Sequence, residues 1–338
     1  MNSDTINLKN NRNYIIFIAN KFFLFINLKS SIQFTQGKKI TLKDKAIFDL
    51  YFKTYPPEIS EFTFSNLFIW KNHYEYLYQG WKNHLLIWSN SYLKKWKRPI
   101  SGRDALFFLP PIGKFPERII LEILSENINI EFHRVPESIK GALLQLKESN
   151  KLNIDIIEDR NNWDYVYDKK ELLSLTGNRL RQKRRNLQKF LSSYKHEFFL
   201  INEKNIESCK QLQIEWCDAN ECQSNEDLQE EQNAIFDAFD NFQKLLITGG
   251  ALFVDDKCIA YTIGEKLNEK TTVIHIEKAY ADYEGSYQAI NNFFIKNCCT
   301  STIFVNREQD LGIQGLRYAK MSYKPHHMVK KYIISRIT

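Results

Sequence analysis

The apolar run Thr302-Ile303-Phe304-Val305 passes directly into Asn306-Arg307-Glu308-Gln309-Asp310, and then through Gly312 and Gly315 into Leu316-Arg317. Few folds accept that order. It describes a strand whose end carries a dense set of polar side chains before the chain turns into a helix, so chemistry is set at a sheet edge. Seven of the thirteen residues from Val305 to Arg317 are charged or amide-bearing. Burying such groups is costly unless each finds a partner, so the stretch calls for a ligand or for an internal hydrogen-bond network.

Strand geometry sharpens this. Side chains alternate with period two. In Thr271 to Glu277, Ile274 and Ile276 then share one face, and Val273, His275 and Glu277 the other. In Thr302 to Glu308, Phe304, Asn306 and Glu308 share a face. If the two strands are neighbours, His275, Glu277, Asn306 and Glu308 converge on one cleft. Glu277 or His275 is then a candidate general base for an amine, because either accepts its proton. The competing reading is a satisfied polar network at a splayed sheet.

Patterning supports a mixed α/β chain. Thr41 to Tyr55 reads as a helix stopped by Pro56-Pro57, and Ser60 as the N-cap of Glu61 to Trp70. Tyr76 to Trp81 pairs with His84 to Trp88, and Ala105 to Leu109 forms a short strand before Pro110-Pro111. Pro116 to Glu126 is amphipathic and Ile128 to Arg134 is a strand. A second series follows: strand Phe198 to Ile201, helices Ile206 to Cys217 and Asn225 to Leu246, and a meander through Ala251 to Val254, Cys258 to Lys266 and Thr271 to Glu277. Helix Ser286 to Cys298, strand Thr302 to Asn306 and helix Ile313 to Met321 complete it. At 338 residues, two domains of ordinary size are expected.

These residues also carry a resemblance. The run from Val305 to Arg317, followed by Ala319-Lys320-Met321-Ser322-Tyr323-Lys324-Pro325, resembles the C-terminal signature of soluble relatives of the phosphatidylglycerol lysyltransferase C-terminal domain. Further matching pieces are Tyr55-Pro56, Ser60 to Trp70, Phe108 to Gly113, Asp164-Tyr165-Val166-Tyr167, Lys183-Arg184-Arg185-Asn186 and His275 to Ala279. The similarity runs in order from about Gln36 to the end. It implies two GNAT-like acyltransferase domains in tandem, an α/β (α+β mixed-sheet) class. The units expected are an N-terminal extension over 1–36, a first domain over 37–157 and a second over 158–338. A meander followed by helix, strand and helix is the GNAT order.

The resemblance implies acyl transfer, with aminoacyl transfer from charged tRNA to a lipid, peptide or small amine as its leading form. In that reading Glu277 and His275 are catalytic, and Asn306, Glu308 and Asp310 bind substrate together with Gly285 and Tyr287. Coenzyme A fits less well. Acetyl-CoA-dependent GNAT enzymes resemble Gln/Arg-x-x-Gly-x-Gly/Ala at the phosphate loop, whereas this chain reads Asp282-x-x-Gly285-x-Tyr287. The acid would repel pyrophosphate and the ring would block the close backbone approach. A non-catalytic module binding an anionic partner, and an acyl-CoA-dependent N-acyltransferase, are the competing classes.

Charge points to anionic partners. The net charge is +7, and the run Arg179 to Phe190 is helical in character. Its cations Arg181, Lys183, Arg184 and Arg185 lie beside an apolar stripe of Leu180, Leu187, Phe190 and Leu191. Such a helix suits tRNA phosphates or an anionic lipid surface, and equally a solvated face. No Walker A or Gly-x-Gly-x-x-Gly fingerprint occurs, nor a Gly-x-Ser-x-Gly elbow, so nucleotide hydrolysis, dinucleotide binding and serine-hydrolase chemistry lack support. His275-x-Glu277 is not followed by the Pro-Cys-x-x-Cys of zinc deaminases, and His326-His327 has no nearby Cys or carboxylate, so no metal is expected. The six cysteines contain no Cys-x-x-Cys pair and are read as reduced, buried thiols of a cytoplasmic protein, peripheral to the membrane at most. Tyr14 to Leu28 is apolar but broken by Asn20 and Lys21. It is read as a non-spanning extension, with a membrane-targeting element as the alternative.

Overall fold

The structure, a computed structural model, describes residues 34, 37–95, 104–126, 129–150 and 153–337. Tyr14 to Leu28 therefore lies outside the described residues. The strands are β1 (Lys38–Lys39), β2 (Leu77–Trp81), β3 (His84–Ser89), β4 (Leu106–Phe108), β5 (Ile130–Pro136), β6 (Ile154–Glu158), β7 (Asp164–Asp168), β8 (His196–Leu200), β9 (Thr248–Val254), β10 (Lys257–Asn268), β11 (Thr271–Ala279), β12 (Phe304–Asn306), β13 (His327–Val329) and β14 (Lys331–Arg336). They form two seven-stranded sheets, ordered β1-β2-β3-β4-β5-β14-β6 and β13-β7-β12-β11-β10-β9-β8.

The two sheets repeat one plan. Each runs through an antiparallel meander into a single parallel pair, β4 with β5 and β11 with β12. A helix crosses over each pair, Pro116–Glu126 in the first sheet and Ser286–Cys298 in the second. The strand beyond the parallel pair is β14 in the first sheet and β7 in the second, both antiparallel to their neighbour. The chain end thus returns to the first sheet. Residues 331–336, placed by sequence with the second domain, complete the first sheet between β5 and β6. Tyr332, Ile333 and Ile334 are buried there, which anchors the return.

One apolar cluster is shared by both domains. Phe48, Phe64, Leu67 and Tyr78 of the first join Ile201, Leu212, Ile235, Tyr261 and Ile276 of the second. Burial at about 25 cal/mol per Å² makes a continuous core of this kind the main force holding the halves together.

Local details depart from the sequence reading. The helix expected from Glu61 begins at Phe64, and Thr63, not Ser60, caps it by accepting from the Asn66 N–H. Ser60 instead donates its N–H and hydroxyl to Asp164. The long helix expected over Asn225 to Leu246 breaks at Asn241 into Glu226–Asp240 and Phe242–Leu245. Cys217 and Cys222 form a disulfide, against the expectation of free thiols throughout. The chain leaves the helix Ile206–Ala219 and turns through Glu221 at φ 51°, which brings the two Cα atoms to 5.1 Å, within disulfide range. Cys209, Cys258, Cys298 and Cys299 are free.

Candidate functional site

The parallel pairing of β11 and β12 covers only Thr271 to Val273 against Phe304 to Asn306. Beyond it β11 continues to Ala279 while β12 stops, so the strands splay apart. The gap is bridged by two ion pairs. His275 Nδ1 lies 2.7 Å from Glu308 Oε1, and Arg307 Nη2 lies 2.6 Å from Glu277 Oε1.

These bridges lie on opposite faces of the sheet. Pairing with β10 places Ile263 opposite Ile276 and Gly264 opposite Ile274, leaving His275 as the extra residue of a β-bulge. The bulge resets the alternation. Ile274 packs with Phe294 and Val305, whereas Ile276 packs with Tyr261 and Leu212. Period two from sequence put those isoleucines on one face and His275 with Glu277 on the other. The bulge separates both pairs. His275, Asn306 and Glu308 gather on the side facing the first domain. Glu277 faces the crossover helix, where Asn291 Nδ2 donates to its Oε2 at 2.7 Å. The single four-residue cleft expected from sequence is not formed.

His275 is deeply buried. Its Nε2 donates to Glu265 at 3.0 Å and its Nδ1 to Glu308. Burial disfavours the charged ring, but the hydrogen bonds to Glu265 and Glu308 outweigh it and lift the pKa to about 10. The imidazole is therefore a cation at neutral pH and lacks the free lone pair a general base needs. Asn66 donates to the same Glu308 oxygen at 3.2 Å. Glu308 adopts φ 55°, a strained left-handed backbone held by Asn306 Oδ1 on its N–H and by the Tyr165 N–H on its carbonyl.

Below this layer lies a buried charge cluster joining the two sheets. Lys331 of β14 donates to Glu61 at 2.7 Å and to Asp164 of β7 at 2.6 Å. Burial opposes the ammonium, and the two carboxylates raise its pKa above the ordinary lysine value. Asn306 donates to Asp164, and Arg134 pairs with Glu61 and Asp159. Asp310 is fully enclosed, bound by Arg160, Arg317, the Tyr165 hydroxyl and the Gly312 N–H. Desolvation opposes its charge, but these donors hold the pKa near about 2. Its oxygens are committed to protein partners.

The phosphate-loop candidates also find internal partners. Gly285 adopts φ 89°, and a Cβ there would lie 2.2 Å from the Asn186 carbonyl oxygen. The glycine lets the loop pack directly on the helix Arg181–Ser193. Tyr287 is half-buried against the apolar cluster around Phe190 and Ile290. On the basic helix, Arg181 and Arg185 are exposed. Arg184 caps the preceding turn through the carbonyls of Leu175 and Gly177. Lys183 lies over the Tyr323 ring, its pKa lowered by burial and by the nearby Arg307.

Glu265, Asn66, Arg307, Lys320 and Lys331 were not singled out from sequence. Asn66 and Lys320 lie inside stretches that carried the family resemblance. Lys331, a cation opening the apolar strand Tyr332–Ile334, was a readable signal of a buried partner. Among the described residues, no group of three or more His, Cys, Asp or Glu is placed to hold a metal ion, and no helix is long and apolar enough to cross a membrane.

Two mixed sheets, each with one parallel pair under a crossover helix, define a tandem GNAT-like α/β protein. A family profile described as phosphatidylglycerol lysyltransferase, C-terminal, matches residues 52–335. The chain belongs to that family, a GNAT-like acyltransferase group related to the lysyltransferases. A conserved protein of unknown function from Bacteroides thetaiotaomicron has the same fold, with a TM-score of 0.78 at 28% identity over 89% of this chain and 99% of that one. L-PGS from Bacillus licheniformis superposes with a TM-score of 0.58 at 11% identity over 87% of this chain and 92% of that one. FemX gives 0.56 at 8% identity over 89% and 97%. An uncharacterised protein of Mycoplasmoides gallisepticum is 27% identical over 208 residues, 60% of this chain and 64% of that protein, just under two thirds of its length.

Proposed function

We propose that the protein transfers an aminoacyl group from charged tRNA to an amine or hydroxyl acceptor in the cytoplasm. Membership of the lysyltransferase C-terminal family over residues 52–335 carries the reading. The splay between β11 and β12 offers the reacting groups. Glu277, held by Arg307 and Asn291, takes the acceptor's proton as its nitrogen or oxygen attacks the ester carbonyl. The ribose oxygen then leaves with a proton. Arg307 Nη1 is buried without a hydrogen-bond partner, which suits it to the negative charge that develops on that carbonyl oxygen. His275, fixed as a cation between Glu265 and Glu308, is a positioning residue that holds the diverging strands. Arg181 and Arg185 meet tRNA phosphates.

The packing of Gly285 against Asn186 supports a donor other than coenzyme A, because the helix Arg181–Ser193 occupies the approach to that glycine. A non-catalytic module is the second reading. It is favoured by the His275–Glu308–Asn66 network, whose imidazole and amide already find their partners within the protein. Calorimetry with acetyl-CoA and gel shifts with charged tRNA decide among the three. Aminoacyl transfer requires salt-sensitive tRNA binding weakened by Arg181→Ala/Arg185→Ala. Saturable acetyl-CoA binding without tRNA binding restores the conventional acyltransferase, and binding of neither leaves the module.

A further inference from the structure

The helices Ile206–Ala219 and Glu226–Asp240 form a hairpin whose turn is closed by the Cys217–Cys222 disulfide. Its two arms hold one side chain between them. Lys278 Nζ sits 3.6 Å from the centre of the Trp216 ring and 2.8 Å from Glu231 Oε2. Trp216 directly precedes Cys217 on the first arm, and Glu231 lies on the second. Lys278 is buried, so its ammonium is held by one ring and one carboxylate, each from a different arm. Glu215, on the same last turn as Trp216, accepts from the Tyr280 hydroxyl at 2.5 Å and pairs with Lys257 at 3.0 Å. Both arms thus grip the end of β11, where Glu277 faces the other side of the sheet toward Asn291. The second arm is also tied to the first domain through Asp237 and Lys71.

The grip depends on the turn. Glu221 stands at φ 51°, a left-handed backbone that a glutamate adopts at a cost. The disulfide ties the two ends of the segment that contains it. With the bond opened, that segment loses its tether, and the last turn of the first arm, carrying Glu215 and Trp216, is freed to move. Cys217 and Cys222 are 3% and 2% exposed, but both line a groove of about 340 Å³ with Asp218, Glu221, Gln223 and Ser224. A second close pair differs: Cys209 and Cys258 lie in the core with Sγ atoms 3.9 Å apart and remain thiols. A disulfide in a thiol-reducing compartment is characteristically transient and redox-sensing rather than a permanent staple, and the reaction proposed above is placed in the cytoplasm.

We propose that Cys217 and Cys222 are a reversible oxidation site whose bond clamps the end of β11 that carries Glu277. A dithiol reductant opens it. One reductant thiolate attacks a cysteine sulfur, and the other cysteine leaves as a thiolate and takes up a proton. The reductant's second thiolate then displaces the remaining cysteine, which also takes up a proton. Two electrons and two protons pass to the protein and the reductant becomes a disulfide; exchange with oxidised glutathione runs the reverse. The consequence for Glu277 rests on the aminoacyl-transfer reading, whereas the opening of the bond and the loosening of the strand do not.

Hydrogen exchange read by mass spectrometry tests this on the full chain, oxidised and after treatment of the folded protein with dithiothreitol. Alkylation in denaturant then counts the thiols, which should rise from four to six. On reduction the amides of residues 277–280 should exchange about tenfold faster or more, while the first sheet keeps its protection. Cys217→Ser/Cys222→Ser should exchange there like the reduced wild type and ignore dithiothreitol. Lys278→Met/Tyr280→Phe, which removes both grips on β11, should lose the difference between the redox states. The proposal is overturned if the folded protein still shows four thiols after dithiothreitol, because the bond is then a permanent staple. It is overturned equally if reduction leaves residues 277–280 protected, if it strips protection from both sheets together, or if the β11 double variant still responds. Discharge of aminoacyl-tRNA is a separate arm, expected to slow on reduction and in Cys217→Ser/Cys222→Ser. Equal discharge in both redox states, with the strand loosened, would overturn the link to Glu277. Esters intact in both states would count against aminoacyl transfer and leave the clamp standing.

Discussion

Lys331→Met removes a cation that reaches both sheets through the buried charge cluster. The Lys331 and Asp164 side chains are each 0% exposed, and Glu61 is 8% exposed. After the substitution Glu61 keeps Arg134, but Asp164 keeps only neutral donors: the Ser60 N–H and hydroxyl and the Asn306 amide. Breaking a buried pair by removing one partner costs about 3–5 kcal/mol, mostly the penalty of the charge left behind. With an unfolding entropy of about 2.1 cal/mol/K per residue, that corresponds to a Tm about 4–7 °C below wild type for a chain of this size. Thermal denaturation followed by circular dichroism reads it directly. Adding Asp164→Asn, which removes the stranded charge, should recover a substantial part of the loss. A single variant melting within about one degree of wild type would mean that Lys331 behaves as an exposed pair does, and the argument for an electrostatic lock between the sheets would fail.

Other outcomes follow from the same geometry. The folded pKa of His275, about 10, lies above the ordinary 6.5, so its stabilisation is complete below about pH 6.5 and is lost as pH rises through about 10; wild type should lose more Tm than His275→Gln between neutral pH and about pH 10. Gly285→Ala forces a Cβ into the Asn186 carbonyl at positive φ and should cost about 2 kcal/mol or more in urea unfolding, whereas an unchanged midpoint would show the loop free to move away. Arg181→Ala/Arg185→Ala should reduce the slope of log tRNA affinity against log salt by about 2; an unaltered slope would make both arginines a solvated face.

Much of the architecture could be read from the chain, and the misses have physical causes. The meander, crossover helix and short strand of the second domain were written in hydrophobic patterning and in the polar loop after Val305. The strands β6, β7, β13 and β14 were missed because each is short and flanked by charge, and because strand exchange between the sheets leaves no local signature. The site was half legible. Asn306, Glu308 and His275 do share a face, as alternation required. Glu277 does not, because a single extra residue at His275 inverts every side chain after it, and nothing local announces a bulge. The family resemblance implies a substrate-binding role for Asp310. In the fold its carboxylate is consumed by Arg160, Arg317 and Tyr165. Gly285 carries a substrate-binding reading in the sequence, but what approaches it in the fold is the helix Arg181–Ser193.

The most direct test of the aminoacyl-transfer account is the rate at which the protein discharges a mixed pool of aminoacyl-tRNAs in the presence of candidate amines and lipids. It should be followed as loss of the ester and gain of mass on the acceptor. The account predicts discharge of at least one species with matching acceptor gain, slowed about 10²-fold or more by Glu277→Gln, measured at a temperature where the variant, with its Arg307 left without that carboxylate, is still folded and still binds tRNA. Discharge equal in wild type and Glu277→Gln would remove Glu277 from the chemistry, and intact esters throughout would contradict the proposed reaction itself.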